Sequence, residues 1–140
     1  MTVARPDPTG PGPDPGVGPF AELLGVRRTL MAGGRARFEV TVGPQHLNPH
    51  GIVHGGVVYS LVDYAMGGAL TSRLAPGERC ATLEIKINYL APVAAGLLAA
   101  EAGVVDRTAR VGVLDARVHT GGGELVALAM GTFYIQTAKS

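Results

Sequence analysis

The 140 residues suffice for one domain, and with 46% hydrophobic residues they can bury a substantial core. Charged residues make up only 16% and the formal net charge is +1, which excludes a basic field able to hold nucleic acid or a membrane surface. A single cysteine, Cys80, excludes an intrachain disulfide and a thiolate metal cluster within one chain, and makes a reducing, cytoplasmic setting the default expectation.

Residues 1–19 hold six prolines and four glycines with almost no apolar periodicity, so they read as a disordered tail that cannot offset the entropy of ordering. They lack the charged-then-apolar pattern of a secretory leader, and the most apolar stretch, 51–70, is interrupted by His54 and Asp63, so neither secretion nor membrane spanning is expected. The folded domain, 20–140, opens on FAELLG, a turn or two of helix stopped by Gly25. Residues 26–31, the turn Ala32-Gly33-Gly34 and RARFEVTV over 35–42 read as a hairpin, because Arg35, Arg37, Glu39 and Thr41 alternate with Ala36, Phe38, Val40 and Val42. A helix is predicted over 55–74, where Val58, Leu61, Val62, Ala65 and Ala69 recur at helical spacing. Gly67 and Gly68 inside it each cost roughly 1 kcal/mol relative to alanine, which points to a face that something approaches closely. Further strands are predicted over 80–90, 96–107, 109–120 and 124–136, the last two joined by a triple-glycine turn. In 80–90 the alternation sets Thr82, Glu84, Lys86 and Asn88 on a polar face against Leu83, Ile85, Ile87 and Tyr89.

The stretch HLNPHGIVHGG spaces His46, His50 and His54 four residues apart, as a helical metal face would. Pro49 and Gly51 break any such helix and neither a cysteine nor a carboxylate lies nearby, so no metal site is expected, and His46 and His50 read as loop residues. His54-Gly55-Gly56 stands at a loop-to-helix junction, where unpaired N–H groups and the helix dipole can hold an anion or a developing oxyanion; two glycines simply making a tight turn is the plainer alternative. Asp63 lies beside the apolar stripe, where an acid is costly unless paired or useful, though it could also sit exposed at the stripe's edge. Nine residues of helix place His54 and Asp63 on the order of 13 Å apart. If both act on one reacting carbon, two symmetry-related chains must share the site.

Asn48-Pro-His-Gly51-x-x-His54-Gly55-Gly56-x4-Leu61-x-Asp63, followed by Thr82-x-Glu84-x4-Tyr89-Leu90-x-Pro92-x3-Gly96, resembles the hotdog-fold acyl-CoA thioesterases of the phenylacetic-acid-degradation (PaaI) type, with matching spacing from about Phe20 to Gln136. The resemblance implies an α+β hotdog fold: an antiparallel sheet of five to six strands wrapped around one long helix, paired sheets in a homodimer, active sites at the dimer interface, and in some relatives a dimer of dimers. It implies hydrolysis of an acyl-CoA to a carboxylic acid and coenzyme A, with coenzyme A part of the substrate and no further cofactor. Asp63 would be the general base or nucleophile, the Gly55 N–H would polarise the thioester carbonyl, Asn48 and His54 would hold the carbonyl or the leaving sulfur, and Thr82 would orient the attacking water. Gly56, Tyr59 and Met66 are candidates for lining the substrate site, and Arg107 and Arg110 for contacting coenzyme A phosphates. A non-catalytic acyl-CoA binder, or a dehydratase or hydratase on the same fold, is the alternative; the histidine and acid motifs of the latter are absent from this sequence.

Overall fold

A computed structural model describes residues 16–137; most of the expected tail, 1–15, lies outside the described residues, as do 138–140. The elements in chain order are α1 (Pro19–Leu24), β1 (Arg27–Ala32), β2 (Arg35–Val42), a 3-10 turn (Pro44–His46), α2 (Gly55–Thr71), β3 (Glu78–Tyr89), β4 (Gly96–Arg107), β5 (Val111–Thr120) and β6 (Leu125–Thr137). Pro19, assigned to the tail by composition, is the first residue of α1, where its missing N–H costs nothing. Gly25 ends α1 in the left-handed conformation, φ 78°, as a C-terminal glycine should.

The six strands form one antiparallel sheet in the order β1-β2-β4-β5-β6-β3. Gly33 and Gly34, both at positive φ, make the β1–β2 turn, a conformation that residues with a Cβ avoid. Along β2 the expected alternation holds: Ala36, Phe38 and Val40 are buried and their polar neighbours face water. This is an α+β sheet wrapped around one long helix. α2 lies across β2, β4, β5 and β3, and Val58, Leu61, Val62, Ala65 and Ala69 are all buried, together with Met66 and Leu70. Small residues let helix and sheet meet closely. A Cβ built on Gly68 would stand 2.8 Å from the Phe38 ring, and one on Gly131 of β6 would stand 2.6 Å from the Met66 Sδ.

β3 departs from its simple alternation. Thr82 pairs with Phe133 and Glu84 with Thr132, so Leu83 is an extra residue, a β-bulge, 61% exposed despite its apolar side chain. Inserting one residue shifts the parity of the strand. Beyond the bulge Ile85 faces the helix as expected; before it, Cys80 and Thr82 face the helix instead of the polar side. β3 is also an edge of the sheet, with its outer edge unpaired in the single chain.

Candidate active site

Two clusters form along α2. The first is built by the loop that enters the helix. Asn48 accepts the His50 N–H at 2.9 Å and the Ile52 N–H at 3.3 Å on Oδ1, and its own backbone N–H bonds to the Ile52 carbonyl at 2.7 Å. Two donors on one amide oxygen assign the flip of the side chain, so Nδ2 is the group that points away from the loop. His54 is the N-cap of α2 at φ −60°, ψ 135°, and its Nδ1 accepts the Gly56 N–H at 2.8 Å. With Nδ1 accepting, the neutral ring carries its proton on the exposed Nε2, which is a free donor at the mouth of the helix. The Gly56 N–H is thereby consumed. The Gly55 N–H, one residue earlier, has no hydrogen-bond partner among the described residues and retains the field of the helix N-terminus.

Tyr89, which the sequence reading left outside the site, secures this first turn. Its hydroxyl donates to the Gly55 carbonyl at 2.8 Å and its ring packs so close that a Cβ on Gly55 would stand 3.2 Å from it. Partial burial pushes the Tyr89 phenol up, and Tyr59 adds to the shift, so the donor proton stays in place at neutral pH. The signal was present, since the period-two pattern already put Tyr89 on the helix-facing side.

Two turns further along α2 lies the second cluster. The Asp63 carboxylate accepts from the Thr82 Oγ1 at 2.7 Å; with Leu83 bulged out, Thr82 and Ile85 both face the helix. Asp63 is half-buried and borders a cleft of about 350 Å³, whose walls include Phe38, Tyr64, Gly67, Thr71, Cys80 and Phe133. Burial pushes the Cys80 thiol up, and the Asp63 charge adds to that, so the only sulfur in the cleft is held as a neutral thiol. Burial likewise raises the Tyr64 phenol, whose ring stacks against Phe20 and Phe38.

Asn48, His54 and Gly55 lie along the loop that enters α2, and Asp63 is paired with Thr82 further along the helix, but the chain does not bring the two clusters together. Eight residues of continuous helix separate Gly55 from Asp63, about 12 Å. Among the other expected residues, Gly56 is exposed on the first turn and Tyr59 is half-buried beside Tyr89. Met66 is a core residue in this chain, fully buried against Gly131, because the stripe continues through it. Arg107 is committed: its guanidinium bonds both Glu78 oxygens at 3.2 Å and its Nε donates to the Thr108 carbonyl, tying the start of β3 to the end of β4. Arg110 is exposed.

The three histidines have three separate fates. His46, expected to be a loop residue, is buried, its Nδ1 accepting the Gly43 N–H at 2.9 Å and its Nε2 bonded to the Leu24 carbonyl at 2.7 Å. His50 is exposed, and His54 caps α2. Among the described residues no three His, Cys, Asp or Glu side chains are placed to share a metal ion. A larger hollow of about 780 Å³, lined by Arg35, Arg73, Lys86, Arg117, Glu101 and Asp115, contains none of the expected site residues.

A fold of this kind defines a class. The profile of the thioesterase superfamily matches residues 50–127, and the chain belongs to that family. A candidate esterase of Saccharolobus solfataricus is 32% identical over 113 residues, 81% of this chain and 75% of its own length. The 1,4-dihydroxy-2-naphthoyl-CoA hydrolase of Listeria monocytogenes is 32% identical over 81 residues, 58% of this chain and 66% of its own. Among solved structures, the PaaI protein from the phenylacetic acid degradation operon of E. coli superposes with a TM-score of 0.79 at 30% identity, covering 86% of each chain. The hotdog fold and the PaaI-type resemblance are thereby established, with hydrolysis as the general chemistry. No helix among the described residues is long and apolar enough to cross a membrane.

Proposed function

We propose that the chain hydrolyses an acyl-CoA thioester to a carboxylic acid and coenzyme A, in a homodimer whose two sites each combine the Asp63 cluster of one chain with the Gly55 cluster of the other. The observation that carries this is the Asp63–Thr82 pair, a carboxylate oriented by a hydroxyl at 2.7 Å and open to a cleft. As base, Asp63 takes a proton from a water that attacks the thioester carbon, with Thr82 holding the carboxylate and that water in register; as nucleophile, it displaces the thiolate to form a mixed anhydride, which water then hydrolyses to the free acid and the Asp63 carboxylate. Negative charge grows on the thioester oxygen. The Gly55 N–H, the His54 Nε2–H and the Asn48 Nδ2–H are the donors able to receive it. The C–S bond then breaks and the thiolate of coenzyme A leaves, taking up a proton; the chemistry needs no metal or redox cofactor.

What supports two chains is the 12 Å between the clusters, which one rigid helix cannot close. The edge position of β3 supports the same reading: twelve residues with Leu83 and Tyr89 exposed form a long edge that pairing with a second copy would cover. The coenzyme A ester named for the Listeria hydrolase supports this substrate class, as does the E. coli PaaI protein's place in a phenylacetic acid degradation operon.

The test is thiol release from a panel of acyl-CoAs. Asp63→Ala should abolish it. Gly55→Pro removes the N–H while suiting the first helical position, and the extended backbone of His54 already accommodates a following proline. It should cost about 10² to 10³ in kcat. Gly55→Ala, which keeps the N–H and adds the same Cβ against Tyr89, is the control. Full activity in Asp63→Ala removes the mechanism; tight acyl-CoA binding by the native protein without thiol release removes the activity.

A further inference from the structure

Gly67 and Gly68 occupy consecutive positions in the interior of α2, and the structure accounts for only one of them. A side chain at Gly68 would run into the Phe38 ring at 2.8 Å and the Ala36 Cβ at 3.2 Å, so packing demands glycine there. A Cβ at Gly67 meets only Phe133 Cε2, at 3.8 Å, which is ordinary contact, and its backbone is helical with no positive φ. Alanine would fit and would favour the helix. The chain therefore keeps a helix-weakening residue that nothing in its own packing requires.

Its position supplies the reason. Asp63, Gly67 and Thr71 are spaced four residues apart and so lie on one face of α2, and all three border the same cleft. Across it stand Thr82, bonded to Asp63, and Cys80, whose sulfur lies 3.7 Å from the Thr71 hydroxyl and 3.9 Å from the Gly67 carbonyl. Phe133 and Phe38 supply apolar walls. Gly67 is thus the gap in the wall one helical turn beyond the carboxylate, about 6 Å along the axis.

Resting on the hydrolase reading above, we propose that Gly67 is the size determinant for the acyl group: the missing side chain leaves the space in which an acyl group bulkier than a methyl lies while its carbonyl carbon meets Asp63. The role is one of shape alone. Gly67 touches the acyl group but moves no proton, and filling it should discriminate between substrates without altering the reaction.

The experiment compares native protein, Gly67→Ala and Gly67→Leu with acetyl-CoA, hexanoyl-CoA and benzoyl-CoA, following thiol release, alongside thermal unfolding. Alanine and leucine are both good helix formers, so Tm should be no lower than that of the native protein in Gly67→Ala. The expected result is kcat/KM for acetyl-CoA within about twofold of native, against a loss of about tenfold or more for benzoyl-CoA in Gly67→Ala and for both larger substrates in Gly67→Leu. Variants that leave the ratio of large to small substrates unchanged, or that lower all three equally with Tm intact, overturn the proposal. Native protein that releases no thiol from any acyl-CoA fails the hydrolase reading itself, and the inference falls with it; native turnover with an unchanged ratio sinks the inference alone.

Discussion

Cys80 lies 3.7 Å from the Thr71 hydroxyl, half-buried beside Asp63, and both burial and that carboxylate raise its thiol. A raised thiol has less thiolate at a given pH, and thiolate is the reactive form. Iodoacetamide should therefore modify Cys80 more slowly than a free model thiol at pH 8, the gap closing as pH rises through the raised value; modification at the model rate at pH 8 contradicts the burial. At this scale the sequence was uneven. Asp63 and Gly55 stood out because an acid beside an apolar stripe and a glycine at a helix start are both locally costly or locally useful. His46 did not, because its partner, the Leu24 carbonyl, is 22 residues away and leaves no mark on the local pattern. Asn48 was legible as a candidate but not the division of its amide, whose oxygen is spent folding the loop.

The long helix and the strand boundaries were legible at the scale of elements, since periods of 3.6 and 2 follow directly from which faces are buried. The parity of β3 was not. Residue types in 80–90 alternate without interruption, yet register belongs to the pairing with β6, and there Leu83 is one residue too many. The polar face assigned to Thr82 from its neighbours was accordingly the wrong one. The two helix glycines separate at this scale as well. Gly68→Ala gains about 1 kcal/mol of helix propensity but must overpack Phe38, itself held against Tyr64 at 5.9 Å, at a cost of about 1 to 3 kcal/mol. Gly68→Ala should therefore unfold at a lower urea concentration than Gly67→Ala; the reverse order contradicts the packing of α2 on β2.

At the scale of the whole molecule, the ends of β3 and β4 are pinned by Arg107 and Glu78. The Arg107 hydrogen bonds, reinforced by the Ala75 N–H, hold the Glu78 carboxyl below its usual range. A lowered carboxylate contributes stability above its unfolded pKa, and the contribution disappears as pH falls through the lowered value. Glu78→Gln should unfold at a lower urea concentration than native protein at pH 7, and the two should converge in acid; a difference independent of pH contradicts the pairing. The dimer reading has its own test. Coexpressed with equal yield, inactive Asp63→Ala and Gly55→Pro chains form mixed dimers in which one site carries both defects and the other neither, so about a quarter of native activity should return. A mixture no more active than its parents places both clusters in one chain. The bulge at Leu83 reconciles two halves of β3 that plain alternation would set on opposite faces. Deleting that one exposed residue would let the β6 pairing run on unbroken with Cys80, Thr82 and Ile85 all still inward, because their partners Ile135, Phe133 and Gly131 are unchanged. The pairing with Phe133, rather than Leu83 itself, thus fixes the aim of the hydroxyl: an in-frame deletion should leave a folded descendant that keeps the Asp63–Thr82 bond.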